Sequence, residues 1–202
     1  PTLIVYPDEK AGRSFNKDRL LPTIRASPRT ARHLTGAPHD EKALQIDLDR
    51  MSVWFGWSHS RASVASRPIG LVIKDELDEF APGASDRADQ RTKTFPSPTI
   101  MEISTPTLED EGIHQQFMKG TREEYHVPCP SCGHFQVLRF ERVRWGADGQ
   151  RGLGAHPAVV EATAHYVCEK CEGVIDEGHK PWMLERGVWV AEEMRVVGAH
   201  RE

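Results

Sequence analysis

Short apolar runs alternate with stretches of helical periodicity through the first half of the chain. Leu3 to Tyr6 is apolar and β-branched and is closed by Pro7, which predicts a strand. Lys10 to Ile24 sets Ala11, Phe15, Leu20, Leu21 and Ile24 near a 3.6-residue spacing, which predicts a helix ended by Ser27-Pro28. Residues 35–50 are polar and read as a loop or short helix. Met51 to Trp57 predicts a second strand, interrupted by Gly56, and Ser58 to Ser66 a turn and short helix. The run Ile69 to Lys74 predicts a third strand, Phe80 to Asp89 is turn-rich, and Thr99 to Ser104 predicts a fourth strand before the turn Thr105-Pro106-Thr107. Strands interleaved with helical segments imply βαβ units and a mainly parallel sheet.

The pattern changes near Tyr125. From there to Val190 the chain carries short strand candidates (Phe135 to Phe140, His165 to Val167, Val188 to Val190), a Gly-rich link from Gly146 to Gly154, and two CxxC pairs. This predicts a small β-rich metal module. The expected organisation is an α/β core over 1–124, the module over 125–190, and the start of a following segment over 191–202. The chain lacks a starting Met and opens on a strand-like run, so it reads as a piece of a longer protein.

Composition removes several function classes. A formal charge of −4 and a pI near 6.2 give no global basic footprint, so a nucleic-acid contact would use a local patch. No apolar run approaches the roughly 18 residues of a membrane span, and the N-terminus PTLIVYPDEK is no signal peptide. All 4 cysteines fall in the pairs Cys129-Pro-Ser-Cys132 and Cys168-Glu-Lys-Cys171. Without a secretory signal, that arrangement favours a reduced compartment and a metal over a disulfide framework.

The acids of the third strand carry the candidate chemistry. Ile69 to Phe80 reads IGLVIKDELDEF, a buried-strand pattern that ends in Asp75 and Glu76. Acids at a strand's carboxyl end emerge where open α/β sheets bind ligands. This is the layout of a Walker B element, with Asp75 holding a nucleotide's Mg²⁺ and Glu76 orienting or deprotonating the attacking water. A plain strand running into an acidic surface turn has the same pattern. Ser104 to Thr107 can contact a γ-phosphate or its water, or simply cap the next turn. Arg87 and Arg91 can reach phosphate or form exposed salt bridges. Lys10, Arg13 and Lys17 present either a solvated helical face or a contact for DNA phosphates.

Thiolates suit tetrahedral Zn²⁺, and two CxxC turns supply all four ligands: Cys129, Cys132, Cys168 and Cys171. Gly133 and Gly173 follow the pairs, where tight turns free backbone N–H groups to reach sulfur. The stretch between the pairs exceeds the usual spacing of about 15–20 residues, which a ribbon tolerates at little extra closure entropy. Four sulfurs leave no open position, so the expected role is structural. His126, His134 and His165 read as surface residues, Trp54 and Trp57 as core, and Trp145, Trp182 and Trp189 as packing of the small module.

In order, these elements resemble the large terminase subunit of lambda-like tailed phages, the ATP-driven DNA-packaging motor. The match rests on Pro1 to Phe15, Trp54 to Pro68, KDELDEF (Lys74 to Phe80), Arg91 to Phe95 and ISTPT (Ile103 to Thr107). It continues through Tyr125 to Leu138, His165 to Ile175 and MLERGVWV (Met183 to Val190). The resemblance implies a P-loop NTPase-like (ASCE) mainly parallel sheet, here partial, followed by a zinc ribbon. It makes Asp75 the Mg-ATP acid, Glu76 the catalytic glutamate, and Ser104 and Thr105 part of the motif coupling hydrolysis to DNA movement. Arg91 becomes a candidate phosphate contact, and Thr2 to Phe15 is similar to a segment that faces DNA.

It further implies ATP, Mg²⁺ and Zn²⁺ as cofactors. The implied partners are double-stranded DNA, the small terminase subunit, the portal and copies of itself, in the host cell cytoplasm and without a membrane. No G-x-x-x-x-G-K-[ST] sequence occurs. The phosphate-binding loop is therefore expected upstream, a nuclease downstream, and the chain alone is expected to be inactive. The alternatives are a zinc-ribbon nucleic-acid or protein-binding module without catalysis, and a helicase-like ATPase.

Overall fold

A computed structural model describes residues 1–64, 67–146 and 156–196 of the chain. The chain divides into two units, Pro1–Met118 and Lys119–Glu202. The Gly-rich link from position 147 to 154, Ala65 and Ser66 in the turn-and-helix stretch, and the last residues from 197 on lie outside the described residues.

The first unit is built on a six-stranded sheet ordered β2-β3-β4-β1-β5-β6. Its strands are β1 (Thr2–Tyr6), β2 (Glu41–Lys42), β3 (Gln45–Asp47), β4 (Ser52–Trp57), β5 (Leu71–Asp75) and β6 (Thr99–Ile103). β4, β1, β5 and β6 run parallel, as the interleaved pattern predicts. β1 is buried at every position because it sits between two parallel neighbours with both faces covered. The stretch 35–50 departs from the expected loop or short helix: β2 and β3 add an antiparallel extension onto β4. These strands are two and three residues long, too short to set a period. Gly56 does not interrupt β4, which runs through it; a Cβ there would meet the Ser63 carbonyl oxygen at 3.2 Å.

Helices cover both faces of the sheet. On one face Ile4, Tyr6, Ile24, Ile46, Val53 and Phe55 form a core against α1 (Glu9–Phe15) and α2 (Leu21–Ala26). The two helices are joined by a π-helical segment, Asn16–Leu20, in which the Leu21 N–H reaches back to Asn16 O. That register absorbs Pro22, which has no N–H for an α-helical bond. Asn16, buried in the same segment, donates from Nδ2 to Lys42 O at 2.9 Å and Ala43 O at 3.1 Å and so ties the helix to β2 and its turn. A single-turn helix, α3 (Pro28–Ala31), follows the Ser27-Pro28 break.

The opposite face packs Leu3, Val5, Val64, Ile69, Val72 and Ala88, with α4 (Arg61–Val64) and α5 (Ala84–Asp89). The turn expected at Phe80 to Asp89 is confined to Pro82 and Gly83, and α5 takes up the rest: Ala84 and Ala88 are fully buried, so small side chains carry the packing. Lys74 points into this face with no exposure. Its Nζ lies 2.7 Å from both Asp89 Oδ1 and Glu102 Oε1 and donates to Ser85 Oγ at 2.6 Å, joining β5, α5 and β6. β6 is the outer strand of the sheet among the described residues, with Ile100, Met101 and Ile103 exposed. After it, α6 (Gly112–Lys119) ends the unit.

The second unit is β-rich. β7 (Glu124–Pro128) pairs antiparallel with β8 (Phe135–Gln136) and β12 (Val188–Val190), and β10 (His165–Val167) pairs antiparallel with β9 (Val143–Arg144) and β11 (Val174–Ile175). Its helices are α7 (Pro157–Thr163), α8 (Lys180–Glu185) and α9 (Glu192–Val196). The core is small: Val127, Cys129, Cys168, Ile175 and Met183. Trp182 and Trp189 depart from the packing role expected of them, being 40% and 60% exposed. Trp182 lies under the Arg186 guanidinium, and Trp189 leans on Tyr125.

Candidate functional site

The first candidate site lies at the carboxyl edge of the parallel sheet, where β4, β1, β5 and β6 end side by side. Ser58, fully buried just past β4, stitches that edge together. Its N–H donates to Tyr6 O, its hydroxyl donates to Pro7 O at 2.8 Å, and its Oγ accepts from the Ala81 N–H at 3.1 Å. Asp8, just after β1, caps α1 by accepting from the Ala11 N–H at 2.8 Å.

Asp75 is the last residue of β5 and is paired in register with Ile103 of β6. It is half-buried on the face that carries Tyr6, whose phenol is pushed up first by burial and then by the negative charge of Asp75. Glu76 follows it, exposed, at φ 58° and ψ 52°. A non-glycine residue held in the left-handed region costs of order 1–3 kcal/mol and persists where its surroundings fix it. Among the described residues the side chains of Asp75 and Glu76 make no hydrogen bond or ion pair. The edge thus brings two free carboxylates to the place where parallel sheets bind ligands.

Ser104 and Thr105 follow β6 directly, one strand over from Asp75, so the predicted residues of the two segments meet at one edge. Ser104 Oγ accepts from the Asp78 N–H at 3.1 Å. Arg91 is not brought there. Its carbonyl accepts from the Ile69 N–H, which precedes β5, so it lies at the opposite, amino edge of the sheet. α5 carries the chain back across the sheet between the two edges, an inversion that sequence spacing does not reveal. Arg87 remains nearer the acidic edge, with its guanidinium directed at Pro82 O and Ser58 O. Arg13 is paired with Glu9 along α1, while Lys10 and Lys17 are exposed.

Asp78 escaped the sequence reading. Its carboxylate accepts from the Thr107 N–H and hydroxyl at 2.9 Å each and from the Ile113 N–H at 2.7 Å. The backbone N–H groups of Ile113 and Thr107 hold it below the ordinary carboxylate range. Partners 29 and 35 positions away leave no local signature.

The second candidate site is the cysteine cluster. The sulfurs of Cys129, Cys132, Cys168 and Cys171 all lie within 4.8 Å of one another, and they are the metal-capable group of that kind found among the described residues. Cys129 to Cys171 and Cys132 to Cys168 are 3.9 Å apart, far beyond a disulfide of about 2.05 Å. A tetrahedron with Zn–S distances of about 2.3 Å has edges of about 3.8 Å, so the donor set fits that ion.

The two turns repeat one hydrogen-bond pattern. The Cys129 N–H donates to His134 O and the Gly133 N–H to Cys129 O; the Cys168 N–H donates to Gly173 O and the Glu172 N–H to Cys168 O. In the first turn Gly133 takes the positive φ of 71°. In the second, Glu172 takes it, at 57°, and Gly173 provides room instead, since a Cβ there would lie 3.3 Å from Cys171 Sγ. Burial pushes the Cys168 thiol up, but the N–H groups of Cys171 and Lys170 and the neighbouring thiols outweigh it and pull it down to about 6. His134 is engaged with Glu169 at 2.8 Å and takes no place in the cluster.

Residues 1–189 match the family described as phage terminase large subunit gpA, ATPase domain. The chain is also similar to the terminase large subunit of Enterobacteria phage P21, with 24% identity over 217 residues covering 98% of the chain and 33% of the relative. The chain thus spans about a third of the length of that relative. Among the described residues no helix is long and apolar enough to cross a membrane. The resemblance carried by the acidic pair, the STPT segment and the paired CxxC turns is borne out, and the chain belongs to the phage terminase large subunit family, within its ATPase domain.

Proposed function

We propose that this chain forms the Walker B-bearing part of an ATP-hydrolysing motor that packages double-stranded DNA into procapsids. The observation that carries the reading is the pair of free carboxylates at the carboxyl edge of the parallel sheet, with Glu76 held in a left-handed conformation. Such strain is maintained where the surroundings over-determine it, and it clusters at reacting sites.

Asp75, half-buried and without a cationic partner among the described residues, suits the inner side of a Mg²⁺ coordination shell. When bound, Mg²⁺ neutralises charge on the nucleotide phosphates. Glu76, exposed and free to accept, orients the attacking water and takes its proton. Ser104 and Thr105, on the next strand end, sense the state of that site and relay it. Arg91 has no part in this reading, because it lies at the other edge of the sheet. The phosphate-binding loop and a nuclease belong to the rest of the complete protein, and the chain alone is expected not to turn over ATP.

Cys129, Cys132, Cys168 and Cys171 would hold Zn²⁺ with no position left for substrate, so the ion staples the second unit. Duplex DNA, the small terminase subunit, the portal and further copies of the subunit are the proposed partners. The test is ATP turnover of the complete subunit with linear duplex DNA. Glu76→Gln should lower turnover by about 10²–10⁴-fold while leaving the protein folded and its zinc in place. Turnover retained at the wild-type rate would sink the reading.

A further inference from the structure

The three acids of the DELD run are used differently. Asp75 and Glu76 are free, whereas the Asp78 carboxylate is engaged at both oxygens by Thr107 and Ile113, and its N–H reaches Ser104. The segment from Ser104 to Ile113 therefore wraps around one side chain. Gly112 closes the wrap. It sits at φ 48°, and a Cβ there would press on Asp78 Oδ1. A larger residue would therefore strain the backbone and displace the carboxylate. Gly112 also starts α6, so the carboxylate stands at the positive end of that helix. In sequence, α6 leads out of the first unit toward Lys119.

Asp78 belongs to the short turn Leu77–Glu79, whose leading residue is the left-handed Glu76. If Glu76 relaxes toward an ordinary backbone conformation, the turn must rotate. The four hydrogen bonds then carry Ser104, Thr107 and the start of α6 with it.

We infer that Asp78 is the positioning residue that links the acidic turn mechanically to the Ser104–Thr107 segment and α6. It is neither a metal ligand nor a base. The inference rests on the ATPase reading above and adds the physical link by which the state of the acidic edge leaves the site. Two discrete arrangements of a packed element, biased from one end, are what such coupling requires.

The experiment uses the complete subunit, ATP and linear duplex DNA, with the variants Asp78→Asn, Gly112→Ala and Glu76→Gln. Asn keeps the shape of Asp78 but must turn its N–H₂ toward a donor, that of Ile113 or those of Thr107. Ala at 112 crowds the carboxylate without altering it, and so serves should Asp78→Asn not fold. Both variants should keep kcat and KM without DNA within about threefold, lose about tenfold of the DNA stimulation, and speed amide exchange at Thr107 and Ile113. DNA stimulation retained while those amides exchange faster overturns the link alone. Basal turnover falling as far as in Glu76→Gln overturns it as well, since Asp78 would then serve the chemistry. Wild-type turnover in Glu76→Gln overturns the ATPase reading and the link with it.

Discussion

The cysteine cluster and the acidic edge are both built on turns that leave short strands, and they differ in how much of their chemistry is already satisfied. In the second unit four sulfurs converge within 4.8 Å, backbone N–H groups support them, and nothing is left over for another molecule. In the first unit two carboxylates stand free, one of them in a costly backbone conformation, beside a third that is saturated. A closed donor set stabilises a fold that is too small to support itself by its core. An open one stores binding capacity for something that comes and goes. The contrast separates a saturated cluster from an open one without reference to any motif.

The comparison is broken most severely by removing the Zn²⁺ proposed for the cysteine cluster. Chelation, or Cys168→Ser, should unfold the second unit and release zinc, a loss on the scale of about 10 kcal/mol, read by metal analysis and the disappearance of its unfolding transition. A second unit that melts unchanged without metal would return the cluster to ordinary core thiols. Next in size is Glu76→Gln in the complete subunit, expected to lower ATP turnover by about 10²–10⁴-fold with no change in zinc content. Lys74→Ala should cost the first unit about 3 kcal/mol in denaturant unfolding, because Asp89 and Glu102 would lose the buried cation between them.

The smallest effect concerns Asp78 and pH. Its carboxyl titrates below the ordinary value in the folded chain. Its contribution is therefore complete above the unfolded value of about 3.9 and disappears as pH falls through the lower folded one. Protection of the Thr107 amide, measured against its intrinsic exchange rate at each pH, should be flat from neutral pH down to that range and fall only in stronger acid. Loss of protection near neutrality would mean that another group holds the turn.

Much of this was legible in the chain because burial leaves a mark on sequence. β1 and β5 announce themselves as apolar runs, and the CxxC turns as a spaced donor set; β6 also reads as a strand, although its apolar residues are exposed. β2 and β3 were not legible, since strands of two and three residues carry no period. α5 was hidden because it packs through Ala84 and Ala88, residues that also fill turns. The position of Arg91 depends on the chain reversing across the sheet, and the role of Asp78 on partners far along the chain. In each case the missing information is a long-range contact, which residue type and spacing do not encode.

The outer strand β6 has a consequence of a practical kind. Among the described residues this parallel edge, with Ile100, Met101 and Ile103 exposed, presents a row of backbone donors and acceptors flanked by apolar side chains. Such an edge templates pairing with any other extended chain, and natural proteins blunt it with charge, proline or a covering segment. In solution the isolated chain should behave as a sticky object whose apparent size grows with concentration, so dilution will govern its handling before its chemistry is ever assayed.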